Sequence, residues 1–256
     1  MIHFVGAGPG AADLITMRGA RLLQETDVII YAGSLVNPAL LEYAKPGCRI
    51  FNSAEMTLEE VIEEMKDAES KGLDTVRLHT GDASLYGAIR EQMDLLDELG
   101  IEYEDVPGVS SFSGAAAALN AEYTLPSVSQ SVVITRMAGR TPVPEKESIR
   151  SFAAHDCTMV IFLSTGLLEE VSAELMEGGY AADAPAAIVY KATWPEEKVV
   201  HCTVCTLAQA AKENNITKTA LILVGGFLGD KYERSKLYDP GFTTEFRKAH
   251  REKEDE

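Results

Sequence analysis

Short apolar runs rich in β-branched residues alternate with helical patterns along the first half of the chain. The runs are residues 2–6, 28–31, 48–51, 75–79 and 101–106. Thr57 and Glu60 form a capping box before a helical pattern at 58–71, and a second one at 86–99 ends at Gly100. Strands that alternate with helices build βαβ units, so the pattern predicts a parallel sheet.

The pattern changes after a helix of small residues at 114–119. Residues 120–130 are polar and contain Pro126, so we place a domain boundary there. Further strands are predicted at 131–135, 158–163, 186–191, 197–205 and 219–225. A short turn at 194–196 joins two of these strands, which predicts antiparallel pairing within a mixed sheet.

The sequence therefore predicts a protein of two α/β domains. Residues 1–120 form an N-terminal domain with a mainly parallel sheet, and residues 121–230 form a C-terminal domain with a mixed sheet. Residues 231–256 are an extension of unassigned structure, and its end at 248–256 is expected to be a frayed tail.

Composition excludes several classes of function. The net charge of −17 argues against nucleic acid, whose phosphates require a basic surface. No apolar run approaches the roughly 18–20 residues of a membrane span, and the N-terminus lacks a signal pattern, so we expect a cytoplasmic protein. Cys202 and Cys205 have the spacing of a metal or redox pair. Because no second Cys or His pair lies nearby, we interpret them as structural and predict no metal.

The first strand ends in a glycine-rich turn that formally fits the dinucleotide pattern G-x-G-x-x-A at residues 6–11. Pro9 removes one backbone N–H from a turn that would have to hold a pyrophosphate, and the next helix begins only near Thr16. The second strand ends in Tyr31-Ala32 without the acidic residue that binds ribose. The turn therefore gives only weak support to the alternative hypothesis of a dinucleotide-dependent oxidoreductase.

Glycines also follow other predicted strands, at Ala32-Gly33-Ser34, Gly81-Asp82 and Pro107-Gly108. Ligands of open α/β sheets bind outside the carboxyl ends of the strands, so these segments are expected to line one crevice. Gly81 would let a ligand meet the backbone directly, and Asp82 can accept hydrogen bonds. The alternative is that Gly81 and Asp82 are only a turn and a helix cap.

Four ordered segments resemble the tetrapyrrole (class III) methyltransferase family. They are VGAGPG at 5–10 with DLIT at 13–16, YAGSLV at 31–36, HTGD at 79–82 with Tyr86-Gly87, and VPGVSS at 106–111. The likeness extends from Ile2 to about Gly226. Segments 130–136, 139–144 and 190–195 further resemble the branch that methylates C11 of precorrin-4, or of its cobalt form, in cobalamin biosynthesis. Other branches act on uroporphyrinogen III, on diphthamide or on ribosomal RNA.

The resemblance implies S-adenosylmethionine bound in a cleft between the two domains, an anionic tetrapyrrole substrate and a homodimer. The implied cofactor-binding residues are Pro9, Gly81, Asp82, Ala83, Tyr86, Ser110, Ser111, Leu163, Ser164, Ala192 and Leu221. We expect the substrate to contact Gly8, Ser34, Arg136, Arg140, Lys191 and Trp194. At Ala83 many family members carry proline.

Several alternatives stay open. For Leu163 and Leu221 the alternative is ordinary core packing, and Trp194 would either stack on the macrocycle or fill a domain interface. Methyl transfer needs in-line approach and exclusion of water rather than a strong base, so the only candidate catalyst is Asp82, with a structural role as its alternative. The alternative functions are methylation of another ring position or another tetrapyrrole, and noncatalytic sensing of a small ligand. The sequence does not decide whether the ring holds cobalt.

Overall fold

The computed structural model describes residues 1–249, and the part of the predicted tail beyond them lies outside the described residues. The chain divides into two compact units. Unit 1 contains Met1–Asn120, Val189–Val199 and Ile216–Leu221, and unit 2 contains Ala121–Ile188, Val200–Asn215 and the chain from Ile222 onward. Two short segments from late in the sequence are thus grouped with the N-terminal residues.

Unit 1 is built on a five-stranded sheet with the strand order β3-β2-β4-β1-β5. Its strands are β1 (Ile2–Gly6), β2 (Val28–Tyr31), β3 (Arg49–Asn52), β4 (Thr75–His79) and β5 (Tyr103–Val106). Its helices are α1 (Met17–Glu25), α2 (Leu58–Ser70), α3 (Arg90–Leu99) and α4 (Ser111–Leu119). Every strand pair is parallel, which confirms the prediction for this sheet.

Both faces of this sheet are buried, as expected for parallel strands connected through helices. Successive strand residues point to opposite faces. On one face Phe4 and Ile30 pack with Met65 of α2 and Leu96 of α3. The opposite face forms a second core around Val5, Ile29 and Leu78, with Leu23 of α1. The two cores hold the sheet rigid and leave the carboxyl ends of its strands to carry loops.

Helix starts agree with the sequence in two cases and differ in a third. Thr57 and Glu60 form the predicted capping box of α2, and α1 begins directly after its N-cap Thr16. The prediction that the third helix begins at Tyr86 is wrong, because α3 starts at Arg90. Tyr86 and Ala88 have φ angles of 58° and 51°, which are incompatible with a right-handed helix.

Unit 2 contains most of a second five-stranded sheet, with the strand order β6-β7-β10-β8-β9. The strands are β6 (Val132–Arg136), β7 (Thr158–Phe162), β8 (Pro185–Tyr190), β9 (Lys198–Thr203) and β10 (Ala220–Val224), and the helices are α5 (Ile149–Ala153), α6 (Leu168–Gly178) and α7 (Leu207–Glu213). β6 and β7 are parallel, whereas β7 and β10 are antiparallel. The sheet is therefore mixed, and the predicted fold class is confirmed.

The remaining features concern the C-terminus, the cysteines and the membrane. Residues 231–249 contain one short 3-10 turn, Lys236–Tyr238, and Arg247 donates hydrogen bonds to the carbonyl oxygens of Leu237 and Asp239. The four cysteines are free thiols. Within residues 1–249, no three His, Cys, Asp or Glu side chains converge as metal ligands. No helix in this part of the chain is long and apolar enough to cross a bilayer.

Candidate functional site at the carboxyl ends of the strands

The glycine turn after β1 packs backbone to backbone against the loop after β4. Gly8 and Gly81 exchange two hydrogen bonds, with N···O distances of 3.2 and 2.9 Å. A Cβ atom on Gly6 would lie 2.5 Å from Gly108 Cα and 2.6 Å from Gly81 O, closer than any side chain tolerates. The glycines therefore let the loops after β1, β4 and β5 meet at the carboxyl ends of these strands.

Residues from elsewhere in unit 1 hold the glycine turn in place. Asn37 Nδ2 donates to Gly10 O at 2.8 Å, and the N–H of Ala11 donates to Thr193 Oγ1 at 2.9 Å. The indole of Trp194 occupies the space beside Gly10, where a Cβ would lie 2.1 Å from Trp194 Cδ1. Sequence reasoning did not identify Asn37 or Thr193. Asn37 precedes a proline as a helix cap would, but nothing in the pattern around Thr193 signals its partner.

Asp82 fastens the loops after β4 and β5 to each other. Its Oδ2 accepts from the N–H of Gly108 at 2.9 Å. Its Oδ1 accepts from the N–H of Ser84 at 3.0 Å and from the Ser84 hydroxyl. Burial alone would raise the pKa of this carboxyl, but the hydrogen bonds from Ser84 and Gly108 outweigh it and hold the pKa below its usual value. Asp82 is thus a carboxylate already engaged by its neighbours.

The start of α4 presents hydroxyl groups beside Gly81. A Cβ on Gly81 would lie 3.4 Å from the amide nitrogen of Ser111 and 3.5 Å from Ser110 Cα. The hydroxyls of Ser110 and Ser111 make no hydrogen bond within residues 1–249. Pro9 packs against the same helix, because a Cβ on Gly114 would meet its ring at 2.9 Å. Ser111 is half-buried and Ser110 is 7% exposed, so Ser111 is the more accessible of the two hydroxyls.

Two of the predicted cofactor residues lie in the loop that follows Asp82. Ala83 is 2% exposed, so its small side chain offers almost no surface. Tyr86 is 45% exposed and has a left-handed backbone. A Cβ on Gly87 would lie 2.1 Å from the carbonyl oxygen of Ala83, which explains why the loop needs glycine there. Strained residues of this kind concentrate at functional sites.

The segment after β8 approaches the glycine turn through strained backbone of its own. Lys191 and Thr193 have φ angles of 46° and 68°. The ammonium of Lys191 pairs with Glu196 at 3.2 Å and lies 5.2 Å from the centre of the Trp194 ring. Ala192 is buried, and its carbonyl oxygen contacts Gly10. Lys191 and Trp194, both predicted substrate residues, are therefore brought together.

The remaining predicted residues of unit 1 are placed differently. Ser34 is exposed in the 3-10 turn Gly33–Leu35 that follows β2. Leu221 lies in β10 and is 7% exposed, so it has little surface for a ligand. Its contact with the cofactor stays a prediction.

In unit 2 the predicted residues lie at the ends of the adjacent strands β6 and β7. The guanidinium of Arg136 donates to the carbonyl oxygens of Met137, Thr141 and Pro142, with the shortest distance 2.7 Å to Pro142. It therefore closes the loop 137–142 on itself. Arg140, at the tip of that loop, is exposed.

The end of β7 places two further predicted residues side by side. Ser164 is fully buried, and its hydroxyl accepts from the N–H of Met137 at 2.8 Å and donates to Phe162 O at 2.6 Å. Its side chain is thus occupied by the protein. Leu163 is 67% exposed with a φ of 53°, so the chain holds an apolar side chain in water at a strained position.

Titratable groups near the edge of the unit 1 sheet do not form an acid–base pair. His79 is 4% exposed, and burial together with Arg77 lowers its pKa to about 3, so its imidazole is neutral at physiological pH. Asp105 has a raised pKa because of burial and the nearby charge of Asp82. The arrangement places glycines, hydroxyls and small apolar side chains together at the carboxyl ends of the strands.

Comparisons with known proteins show which family the chain resembles. A family model described as tetrapyrrole (corrin/porphyrin) methylases matches residues 1–208. The chain belongs to this family. A cobalt-precorrin-4 C(11)-methyltransferase of Methanocaldococcus jannaschii is 53% identical over 251 residues, which are 98% of this chain and 97% of the relative. A precorrin-4 C(11)-methyltransferase of a Sinorhizobium species is 47% identical over 96% of this chain and 98% of its own.

Solved structures of tetrapyrrole methylases share the fold. The X-ray structure of a cobalt precorrin-4 methyltransferase superposes with a TM-score of 0.88 at 48% identity, covering 90% of this chain and 96% of that one. A uroporphyrin-III C-methyltransferase from Thermus thermophilus, complexed with S-adenosylhomocysteine, gives a TM-score of 0.73 at 25% identity, with coverage of 89% and 92%. The family resemblance predicted from the four motifs is confirmed.

Proposed function

We propose that this protein transfers a methyl group from S-adenosylmethionine to C11 of precorrin-4 or cobalt-precorrin-4 in cobalamin biosynthesis. The observation that carries the proposal is the similarity, along nearly the whole chain, to relatives that bear this activity in their names. The residues at the carboxyl ends of the strands support it because they suit adenosine and a methionine sulfonium better than a diphosphate.

The reaction is a displacement at carbon. S-adenosylmethionine supplies a methyl group on a positively charged sulfur. A π electron pair at C11 of the substrate forms a C–C bond to that methyl group, and the electron pair of the broken C–S bond stays on sulfur as S-adenosylhomocysteine leaves. The positive charge passes from sulfur to the ring system, which releases it as a proton to water. The protein contributes alignment of the two partners and exclusion of water, and such positioning is worth several kcal/mol in reactions of two molecules.

Several residues of unit 1 are expected to bind the cofactor. Ser110 and Ser111 have hydroxyls that make no hydrogen bond within residues 1–249, and Gly81 lies beside them. Pro9 and Ala192 are buried beside the same loops, so we expect them to shape the site more than to offer surface. None of these groups needs to neutralise a phosphate.

Asp82 is proposed as a positioning residue rather than a base. Both of its oxygens already accept hydrogen bonds, and its lowered pKa makes it a weak base. Its negative charge also lies on the loop that is expected to hold a cationic sulfonium. Loss of Asp82 should therefore loosen the loops after β4 and β5.

Substrate binding requires local positive charge, because the chain as a whole carries −17 and a precorrin carries several carboxylates. Arg140 is the exposed cation on its loop, and Lys191 lies over Trp194. Arg136 supports the loop that carries Arg140. Gly8 and Ser34 belong to the two loops that flank the same sheet edge.

The proposal extends to the setting of the enzyme. We expect a cytoplasmic homodimer that works on a soluble anionic substrate and engages neither nucleic acid nor membrane. The strongly negative charge supports the absence of a nucleic-acid partner, and the family resemblance supports the dimer.

The cofactor assignment is tested by calorimetric titration with S-adenosylhomocysteine, with NAD as the comparison ligand. S-adenosylhomocysteine should bind one site per chain and NAD should not bind. Ser110→Ala should weaken binding about three- to tenfold, the value of one hydrogen bond. Ser113→Ala, an exposed serine of the same helix, should have no effect. Binding of NAD in place of S-adenosylhomocysteine would refute the proposal.

A further inference from the structure

Unit 1 contains a cavity whose walls include no residue of the glycine turn. It has a volume of about 180 Å³ and lies beside the sheet face covered by α2 and α3. Its walls include Ser53, Thr57, Arg77, Ala88 and Gln92. Liquid water takes about 30 Å³ per molecule, so the space admits a small ion together with water.

The cavity wall contains a buried arginine without an acidic partner. Arg77 is 6% exposed, and none of the Asp and Glu residues in the described chain forms an ion pair with it. Its Nε donates to Gln92 Oε1 at 2.9 Å and its Nη1 donates to Ile30 O at 3.1 Å. Nη2 makes no hydrogen bond within residues 1–249. Two fixed bonds thus orient the guanidinium and leave donors facing the cavity.

A buried cation without a counter-ion is costly, because burial removes its hydration. Burial lowers the pKa of Arg77 to about 10, which still leaves it protonated at neutral pH. Gln92, its main partner, is 4% exposed and donates to the carbonyl oxygen of Ala88 at 3.0 Å. The Gln92 side-chain amide and the Ile30 carbonyl therefore hold the guanidinium in place without neutralising its charge.

The start of α2 lies in the same wall but adds no free positive charge. α2 is a helix of 13 residues that begins after Thr57, and Leu58 at its first position also lines the cavity. Glu60 closes the capping box by accepting from the N–H of Thr57, so within residues 1–249 Arg77 alone carries the positive charge of the site. Glu91 of α3 is the acid among the described lining residues, and it is exposed to solvent at the cavity.

We propose that this cavity binds a small oxyanion through Arg77. The matching chemistry is a phosphate or a carboxylate group, because the guanidinium offers planar paired donors to such oxygens. The ion would come either from solution or from a carboxylate side chain of the tetrapyrrole. The site is separate from the methyl-transfer residues, so its test does not depend on turnover.

The test is calorimetric titration of the full chain with sodium phosphate and, separately, with sodium acetate at constant ionic strength. Saturable binding to one site per chain is expected for at least one of them. Glu91→Gln removes an opposing charge and should tighten binding about two- to fivefold. Glu98→Gln, an exposed acid on the same helix outside the cavity wall, should leave the affinity unchanged.

Two further experiments test where the ion binds and where it comes from. Arg77→Lys keeps the charge but removes the paired donors, and it should weaken binding at least tenfold if circular dichroism shows it folded. Displacement of phosphate by uroporphyrin assigns the site to a substrate carboxylate, and no displacement assigns it to a free ion. The proposal is overturned if neither anion binds, or if Glu91→Gln and Glu98→Gln give the same affinity as the unmodified chain.

Discussion

Replacing Gly10 with alanine tests whether the glycine turn and the segment after β8 form one packed unit. The added Cβ would lie 2.1 Å from Trp194 Cδ1, 2.4 Å from Trp194 Nε1 and 2.8 Å from the carbonyl oxygen of Ala192. Gly10 does not have a left-handed φ, so alanine is disfavoured there by lack of space alone. The indole must move for the variant to fold.

Overpacking of this kind costs about 1–3 kcal/mol of unfolding free energy. For a chain of this size that corresponds to a fall in Tm of about 2–12 °C. Trp194 is the single tryptophan of the chain, so its fluorescence reports the displacement directly. We expect a shifted emission maximum together with the lower Tm.

The control is Gly166→Ala, because nothing lies within 4 Å of a Cβ at that exposed glycine. It should change neither the Tm nor the fluorescence. In a Trp194→Ala background the penalty of Gly10→Ala should shrink by at least about 0.5 kcal/mol, as expected for residues in contact. A Gly10→Ala protein with unchanged Tm and unchanged emission would show that the described contact is absent.

Three further predictions concern residues at the carboxyl ends of the strands in the two sheets. Asp82→Asn replaces one of two acceptor oxygens with an amide nitrogen, so the N–H of either Gly108 or Ser84 loses its acceptor and the Tm at pH 7 should fall. Because the folded pKa of Asp82 is depressed, its contribution to stability is present above about pH 4, and the difference in Tm from the unmodified chain should narrow on acidification below it. Arg140→Ala should weaken uroporphyrin binding and leave the Tm unchanged, whereas Arg136→Ala should lower both the affinity and the Tm. Lys212→Ala should change neither the affinity nor the Tm. Equal effects of all three substitutions would contradict the substrate-binding role of Arg140 and the supporting role of Arg136. Leu163→Gly relieves a strained φ and should hold or raise the Tm while weakening S-adenosylhomocysteine binding; a lower Tm with unchanged binding would assign Leu163 to stability.

Much of the fold could be predicted because its signals are local. Buried parallel strands are encoded by apolar runs rich in β-branched residues. Thr57 and Glu60, within four residues of sequence, predict the start of α2. The start of α3 could not be found in this way. Residues 86–89 continue the apolar periodicity of the helix, but Tyr86 and Ala88 adopt left-handed backbone that tertiary packing imposes.

The sequence predicted those site residues that belong to a motif, but not the contacts between residues that are distant in sequence. The glycines after β1 and β4 mark a close approach of backbones, and the structure brings them together. The bond from Ala11 to Thr193 spans 182 positions, and no pattern in one sequence reveals such a pairing. Arg136 was predicted from its charge, whereas the structure shows its guanidinium bonded to its own loop.

The most direct test of the central claim is the position of the transferred methyl group. The purified protein would be incubated with S-adenosylmethionine carrying a ¹³C-labelled methyl group and with precorrin-4, in parallel with and without cobalt, and the product analysed by mass spectrometry and ¹³C NMR. We predict one labelled methyl group per product molecule, attached at C11, with release of S-adenosylhomocysteine. Labelling at another ring carbon, or no transfer to either form while uroporphyrinogen III is methylated, would contradict the account.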